Sequence, residues 1–223
     1  MDFRWRWDLT WQILPHLLEA TLATLAAATI GYCIALLGGL VFALAQRTPS
    51  RLMSMAAREA VEFIRSTPLV LQVFFIFFVG PQVGVRLSPW VAGMIAIGLH
   101  YSAYLSEVYR GGLEAVPKGQ WEASLALNLS TRTTYMRIII PQALLPAFAG
   151  MGNYLVGIFK DTPILSVIGV AELMHAASSV GSENYRYLEP YTIVGLIFLL
   201  ISLPASGLVR LVENWVRRRL GMD

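Results

Sequence analysis

The stretch Leu17–Ala45 reads LLEATLATLAAATIGYCIALLGGLVFALA, with one acid, Glu19, near its start and then 26 residues without a charge. About 20 apolar residues in a helix cross a hydrocarbon core ~30 Å thick. Two more uncharged runs follow, Pro68–Val85 and Leu87–Ser106. No soluble core needs several such runs in one chain. The composition agrees. Charged residues make up 14% of the 223 residues, against about 25% in soluble domains, and the mean hydropathy is +0.59. The chain therefore reads as an all-α membrane protein.

Five spans are expected, over residues 17–45, 60–80, 90–109, 136–159 and 191–212. The first is over-long for the core at about 1.5 Å per residue, so it tilts or projects. It is also too long for the apolar part of a signal peptide and shows no cleavage site. The fourth carries Pro141, Pro146, Gly150, Gly152 and Gly157. With the N-terminus outside, eleven Lys and Arg fall inside and five outside, Arg65 lying within the second span. The positive-inside rule then gives N-out and C-in. Trp5, Trp7, Trp11, Trp90 and Trp215 sit near the expected boundaries as interface anchors. Arg217–Arg219 reads as a stop anchor facing anionic lipid. The single cysteine, Cys33, reads as a small buried hydrophobe.

Between the third and fourth spans lies Gly119-Gln-Trp-Glu-Ala-Ser-Leu-Ala-Leu-Asn128-Leu-Ser130. Trp121, Leu125 and Leu129 recur at i, i+4 and i+8, which predicts an amphipathic helix over about 117–129. Pro117 suits its first position, and Asn128 suits the left-handed residue that ends a helix. Ser130 is placed to cap the next helix. The orientation puts this helix in the cytoplasm.

Glu62 and Arg65, and likewise Glu107 and Arg110, stand three residues apart and are expected to pair as structural ions. His100, among apolar residues, reads as a neutral interior histidine or as a residue lining a pathway. Asp161-Thr162-Pro163 reads as a helix start, so the fourth span should break near Lys160. Broken backbone at membrane depth survives where protein buries it or where it lines a cavity. Lys160, Asp161 and Thr162 are accordingly candidates for a pathway or gate that meets an anionic group, against the plainer reading of a local Lys–Asp pair.

No HExxH motif or Cys/His cluster is present, so no metal site is expected. The basic residues follow the loops and leave no nucleic-acid footprint. There is no Gly-x-x-x-x-Gly-Lys-Ser/Thr loop, so ATP hydrolysis through a P-loop needs a partner. A self-sufficient secondary transporter or channel is the main alternative. It would call for internal repeats or mid-membrane carboxylates, which the sequence does not display. A membrane-embedded enzyme would need a nucleophile–base set, and none stands out.

Glu122-Ala123-Ser124, then Asn128, then Ile138-Ile139-Ile140-Pro141 resembles the EAA signature of ATP-binding-cassette (ABC) importer permeases. That signature is Glu-Ala-Ala, three residues, Gly, and a later Ile-x-Leu-Pro. Here Ser124 replaces the second Ala and Asn128 replaces the Gly. Arg65-Ser66-Thr67-Pro68-Leu69 with Gln72 is similar to the Arg-Gly-Thr-Pro-Leu motif of polar amino-acid permeases. Ala103–Glu107 with Arg110-Gly111-Gly112, Val116–Gln120, and Leu144–Asn153 followed by Lys160-Asp161-Thr162 also resemble that family, in order.

The resemblance implies a type I ABC importer permease fold in a bacterial plasma (inner) membrane. It implies a second permease subunit, an ABC ATPase dimer holding ATP and Mg, and an extracytoplasmic solute-binding protein. The permease itself would bind no cofactor. Gly119, Glu122, Ala123, Ser124 and Asn128 would belong to the coupling helix that docks on the ATPase. Within the family, Ala126–Leu129, the Pro163 after Lys160-Asp161-Thr162, and Tyr185–Pro190 resemble ectoine/hydroxyectoine permeases. Glutamate, glutamine or arginine remain open as solutes.

Overall fold

The computed structural model describes residues 4–220, apart from the side chains of residues 149, 217, 219 and 220. The expected Arg217 and Arg219 anchors thus lie outside the described side chains. All regular structure among the described residues is helical. The order is α1 Trp7–Gln46, α2 Arg51–Ser66, α3 Leu69–Phe74, α4 Pro89–Glu114, α5 Lys118–Ala126, α6 Thr131–Thr133, α7 Ile140–Asp161, α8 Leu173–Asn184 and α9 Leu188–Leu220. A π turn (Phe75–Val79) and a 3₁₀ turn (Gly80–Val83) follow α3, a π turn (Thr134–Ile139) follows α6, and a 3₁₀ turn (Thr162–Ile168) follows α7.

Among the described residues, two helices, Trp7–Gln46 and Leu188–Val216, are each long and apolar enough to cross a membrane, and up to four spans result if two interrupted pairs each count once. The span expected over residues 60–80 is not one helix. α2 ends at Ser66, Pro68 is extended (ψ 137°), and α3 starts at Leu69. Pro68 has no N–H to continue the ladder and disfavours helical backbone at Thr67. Gln72 secures the break, its amide donating to Thr67 Oγ1 at 2.7 Å and Thr67 O at 3.3 Å.

The chain divides into two compact units. Among the described residues, the first comprises 4–34, 67–98 and 155–205. Its core joins Leu9, Ile13 and Leu17 of α1, Leu173, Ala177 and Val180 of α8, and Ile193, Val194 and Ile197 of α9. Two buried carboxylates organise its edges. Glu172 is fully buried, caps α8 by accepting from His175 N–H at 2.8 Å, and accepts from Thr24 Oγ1 at 3.4 Å. Leu173 N–H in turn donates to Thr24 Oγ1 at 3.0 Å. Burial pushes the Glu172 carboxyl above its ordinary pKa, opposed by hydrogen bonds from the Met174 and His175 N–H groups and the Thr24 hydroxyl.

Glu189, also fully buried, closes a clasp. It accepts from Arg6 N–H at 3.1 Å and from Arg186 Nη2 at 2.6 Å, and the same Nη2 donates to Arg4 O at 2.6 Å. Next to the clasp, Asp8 pairs with Arg6, and the guanidinium's hydrogen bond holds the Asp8 carboxyl below the usual range.

At the end of α8, Tyr185 takes a left-handed conformation (φ 54°) while its side chain is 92% exposed. Such backbone costs an L residue with a bulky side chain roughly 1–2 kcal/mol. Arg186 N–H completes the turn by donating to Gly181 O at 3.0 Å.

Among the described residues, the second unit comprises 35–66, 99–154 and 206–220. Its helices approach closely where glycines face them. A Cβ on Gly112 of α4 would lie 2.6 Å from the Ala143 carbonyl oxygen of α7. Cys33 of α1, expected to be buried, is exposed. It follows the outward apolar face of Ile30, Ile34 and Leu37, which suits lipid contact.

Candidate functional site: a capped surface helix and its charged neighbours

α5 is built by its ends. Pro117, extended at ψ 135°, precedes the helix rather than occupying its first turn, which begins at Lys118. Gln120 N–H donates to Pro117 O at 2.9 Å. At the other end Asn128 is left-handed (φ 51°). Asn128 N–H donates to Leu125 O at 2.9 Å, and Leu129 N–H donates to Ser124 O at 3.0 Å. These two bonds are the Schellman closure, which satisfies carbonyls that a helix end otherwise leaves open. Asn tolerates the required backbone better than other residues with a β-carbon.

Ser130 then caps α6 by accepting from Thr133 N–H at 3.2 Å. The π turn over Thr134–Ile139 ends just before Pro141, which has no N–H to donate to Arg137.

Of the expected apolar face of α5, Trp121 and Leu129 are half-buried and only Leu125 turns outward. Ser124 is 3% exposed, while Leu125 is 81% exposed and Leu127 is also exposed. The helix seats through Trp121 and Ser124, one turn apart. Trp121 meets the Tyr135 ring edge-on at 5.4 Å and packs with Val116, Ile139 and Ala143. Ser124 fits because it is small and its hydroxyl donates to Gln120 O at 2.7 Å. Glu122, Ala123, Leu125 and Leu127 are left facing outward. Gly119 has open space around the position of a Cβ.

The two expected ion pairs form, Arg65–Glu62 at 3.3 Å and Arg110–Glu107 at 2.6 Å. Spacing alone did not show that they line one cleft of about 450 Å³, with Gln46, Arg58, Glu59 and Glu114. Arg110 also reaches Glu114 at 2.6 Å, bridging two carboxylates. His100 is buried, its ring 5.2 Å from Tyr104 and 5.4 Å from Tyr101. Tyr154 joins Tyr104 at 5.6 Å. Arg65 lies 5.5 Å over the Tyr104 ring, and Tyr104 Oη donates to Arg65 O at 3.3 Å. The tyrosines were missed in the sequence. Their signal was three phenols within apolar spans, two of them one turn apart at Tyr101 and Tyr104.

Lys160, Asp161 and Thr162 belong to the other unit. α7 ends at Asp161 and the chain tightens into a 3₁₀ turn, as the Pro163 signal suggests. The capping differs from expectation. The Asp161 carboxylate makes no cap bond to the new turn, and the Thr162 hydroxyl donates back to Phe159 O at 2.8 Å. Lys160 is exposed and Thr162 is buried. Among the described residues, no group of three His, Cys, Asp or Glu is placed to hold a metal.

Residues 35–218 match the family described as binding-protein-dependent transport system inner membrane component. A probable amino-acid ABC transporter permease of Sinorhizobium fredii is 43% identical over 90% of this chain and 87% of its own length. The glutamine transport system permease of Escherichia coli K12 is 34% identical, covering 93% of this chain and 96% of its own. A crystal structure of an amino acid ABC transporter with histidines superposes with a TM-score of 0.90 at 31% identity, over 95% of this chain and 99% of that one. An inward-facing methionine ABC transporter shares the fold at a TM-score of 0.62 and 17% identity, covering 93% of this chain and 99% of that chain. The fold is the all-helical one of type I ABC importer permeases, and the chain belongs to the family of binding-protein-dependent transport system inner membrane components.

Proposed function

We propose that this chain is the permease subunit of an ABC importer for a polar amino acid or an amino-acid-like compatible solute, with ectoine and hydroxyectoine among the candidates. It spans a bacterial plasma membrane five times, N-out and C-in, and pairs with a second permease. An ATPase dimer binds ATP and Mg on the cytoplasmic side, and an extracytoplasmic protein delivers the solute. The observation that carries this reading is α5. It is a short helix closed at both ends, seated by Trp121 and Ser124, and it turns Glu122, Leu125 and Leu127 outward. An acid flanked by exposed leucines suits a groove on a partner. The relatives' amino-acid and glutamine systems support the solute class.

Lys160 supports the same class. It is a cation at the end of α7 where regular helix gives way to a tight turn, and these solutes share a carboxylate. In this reading Lys160, Asp161 and Thr162 border the path of the solute, and His100 borders it elsewhere.

Reconstitution with the partner subunits tests both parts. Glu122→Lys should cut solute-stimulated ATP hydrolysis and uptake by about tenfold, the equivalent of ~1.4 kcal/mol of lost docking, with the fold intact by thermal melting. Normal stimulation in that variant would exclude α5 as the lever. Lys160→Ala and Lys160→Gln, at matched expression, should both lose uptake. Unchanged uptake in both would remove Lys160 from the path.

A further inference from the structure

The second unit holds a cavity of about 660 Å³. Three helix faces line it. α1 contributes Leu40 and Leu44, one turn apart, and Arg47 follows in the turn just after the helix ends. α4 contributes Tyr109 and Leu113, one turn apart. α7 contributes a face running from Ile140 through Leu144 to Met151. The space exists because alanines stand where larger side chains would meet, at Ala43, Ala143 and Ala147. The lining is apolar apart from Arg47 and two phenols, so it does not suit a zwitterionic amino acid.

Two observations identify what does suit it. The first is length. Ile140 and Met151 stand eleven residues apart, about 16 Å of helix, which is close to one leaflet of a ~30 Å core. The second is the position of the charge. Arg47 follows the uncharged run of α1 by two residues, is exposed, and has no ion-pair or side-chain hydrogen-bond partner among the described residues. A guanidinium at the end of an apolar run lies at headgroup depth, where it recognises phosphate.

We propose that this cavity binds one acyl chain of an anionic phospholipid, with its phosphate at Arg47. Occupancy also bears on α5. Tyr135 lines the cavity and its ring meets Trp121 edge-on, and Ala143 belongs both to the lining and to the cluster beneath Trp121. A bound chain therefore props the packing that seats the surface helix.

The test is lipid retention, which does not depend on the transport reading. The full chain, purified with its partner subunits, is equilibrated in micelles containing phosphatidylglycerol and phosphatidylcholine in equal amounts, and bound lipid is counted by native mass spectrometry. Wild type should retain phosphatidylglycerol in about fivefold excess, the equivalent of ~1 kcal/mol for one basic side chain at a lipid surface. Arg47→Lys should keep that preference, Arg47→Gln should abolish it, and Arg51→Gln should leave it unchanged. Leu144→Trp, which fills the space from a partly exposed position, should lower retention of both lipids. Equal retention of the two lipids by wild type, or an unchanged preference in Arg47→Gln, would overturn the proposal. So would a disulfide between two copies carrying Leu44→Cys in a Cys33→Ala background, because the cavity would then be covered by protein.

Discussion

Tyr185 and Glu172 each accept an unfavourable state, and each makes a separate prediction. The Tyr185 side chain is almost wholly in solvent, so the cost of its left-handed backbone is not offset by packing. Tyr185→Gly should raise the melting temperature, by up to about 1 kcal/mol of stability once the greater freedom of glycine in the unfolded chain is deducted. A lower melting temperature would mean that the ring contributes more than its exposure indicates. For Glu172 the sign follows from burial. Its folded pKa lies above the ordinary value of 4.5, so between those two pH values the native state binds more protons than the unfolded one. Stability is therefore greatest below about the ordinary value and declines as pH rises through the folded value. Glu172→Gln keeps an oxygen for His175 N–H and has no proton to lose. Thermal melts from pH 4 to pH 8 should show a flatter profile for this variant and greater stability than wild type at the alkaline end. Parallel profiles would refute the assignment.

Among the elements, close approach separates two adjacent glycines of α4. Gly112 faces the Ala143 carbonyl, whereas a Cβ on Gly111 meets nothing within 4 Å. Gly112→Ala should cost about 1–3 kcal/mol through overpacking, while Gly111→Ala should be neutral or gain up to about 1 kcal/mol of helix propensity. Melting the two variants side by side checks this, and equal losses would contradict the packing. The same contrast shows what a sequence can display. The helices around residues 17–45 and 191–212 were legible because long uncharged runs have one meaning. Asn128 was legible because few residue types tolerate its backbone. The break at Thr67–Pro68 was hidden by continuous apolarity on its far side, and hydropathy does not register a missing N–H. The outward turn of Leu125 was hidden because periodicity assumes that leucine seeks the interior. A nine-residue helix can instead seat on one tryptophan and one serine. The shared cleft of Glu62, Arg65, Glu107 and Arg110 joins residues some forty positions apart, which local spacing does not reveal.

At the scale of the whole molecule, the proposed function makes the chain one part of an assembly. The chain has no P-loop motif, and the proposed importer supplies ATP hydrolysis through a separate subunit. Uptake in proteoliposomes should therefore require ATP, the ATPase subunits and the solute-binding protein together. Uptake driven by an ion gradient through the permease alone would favour a secondary transporter. Fold class and family were legible across nearly the full length, because five motifs stand in order. The solute was not, because in the proposed importer a separate solute-binding protein selects it. The clasp at Glu189 carries a different consequence, for biosynthesis. Its partners include Arg6 N–H, and 183 residues separate donor from acceptor. At about 5–20 residues per second, a ribosome needs ~10–40 s to travel that distance. The start of the first helix therefore waits for nearly the whole chain before its closing bond can form. Its early neighbours in the membrane must tolerate an unfinished end for that interval.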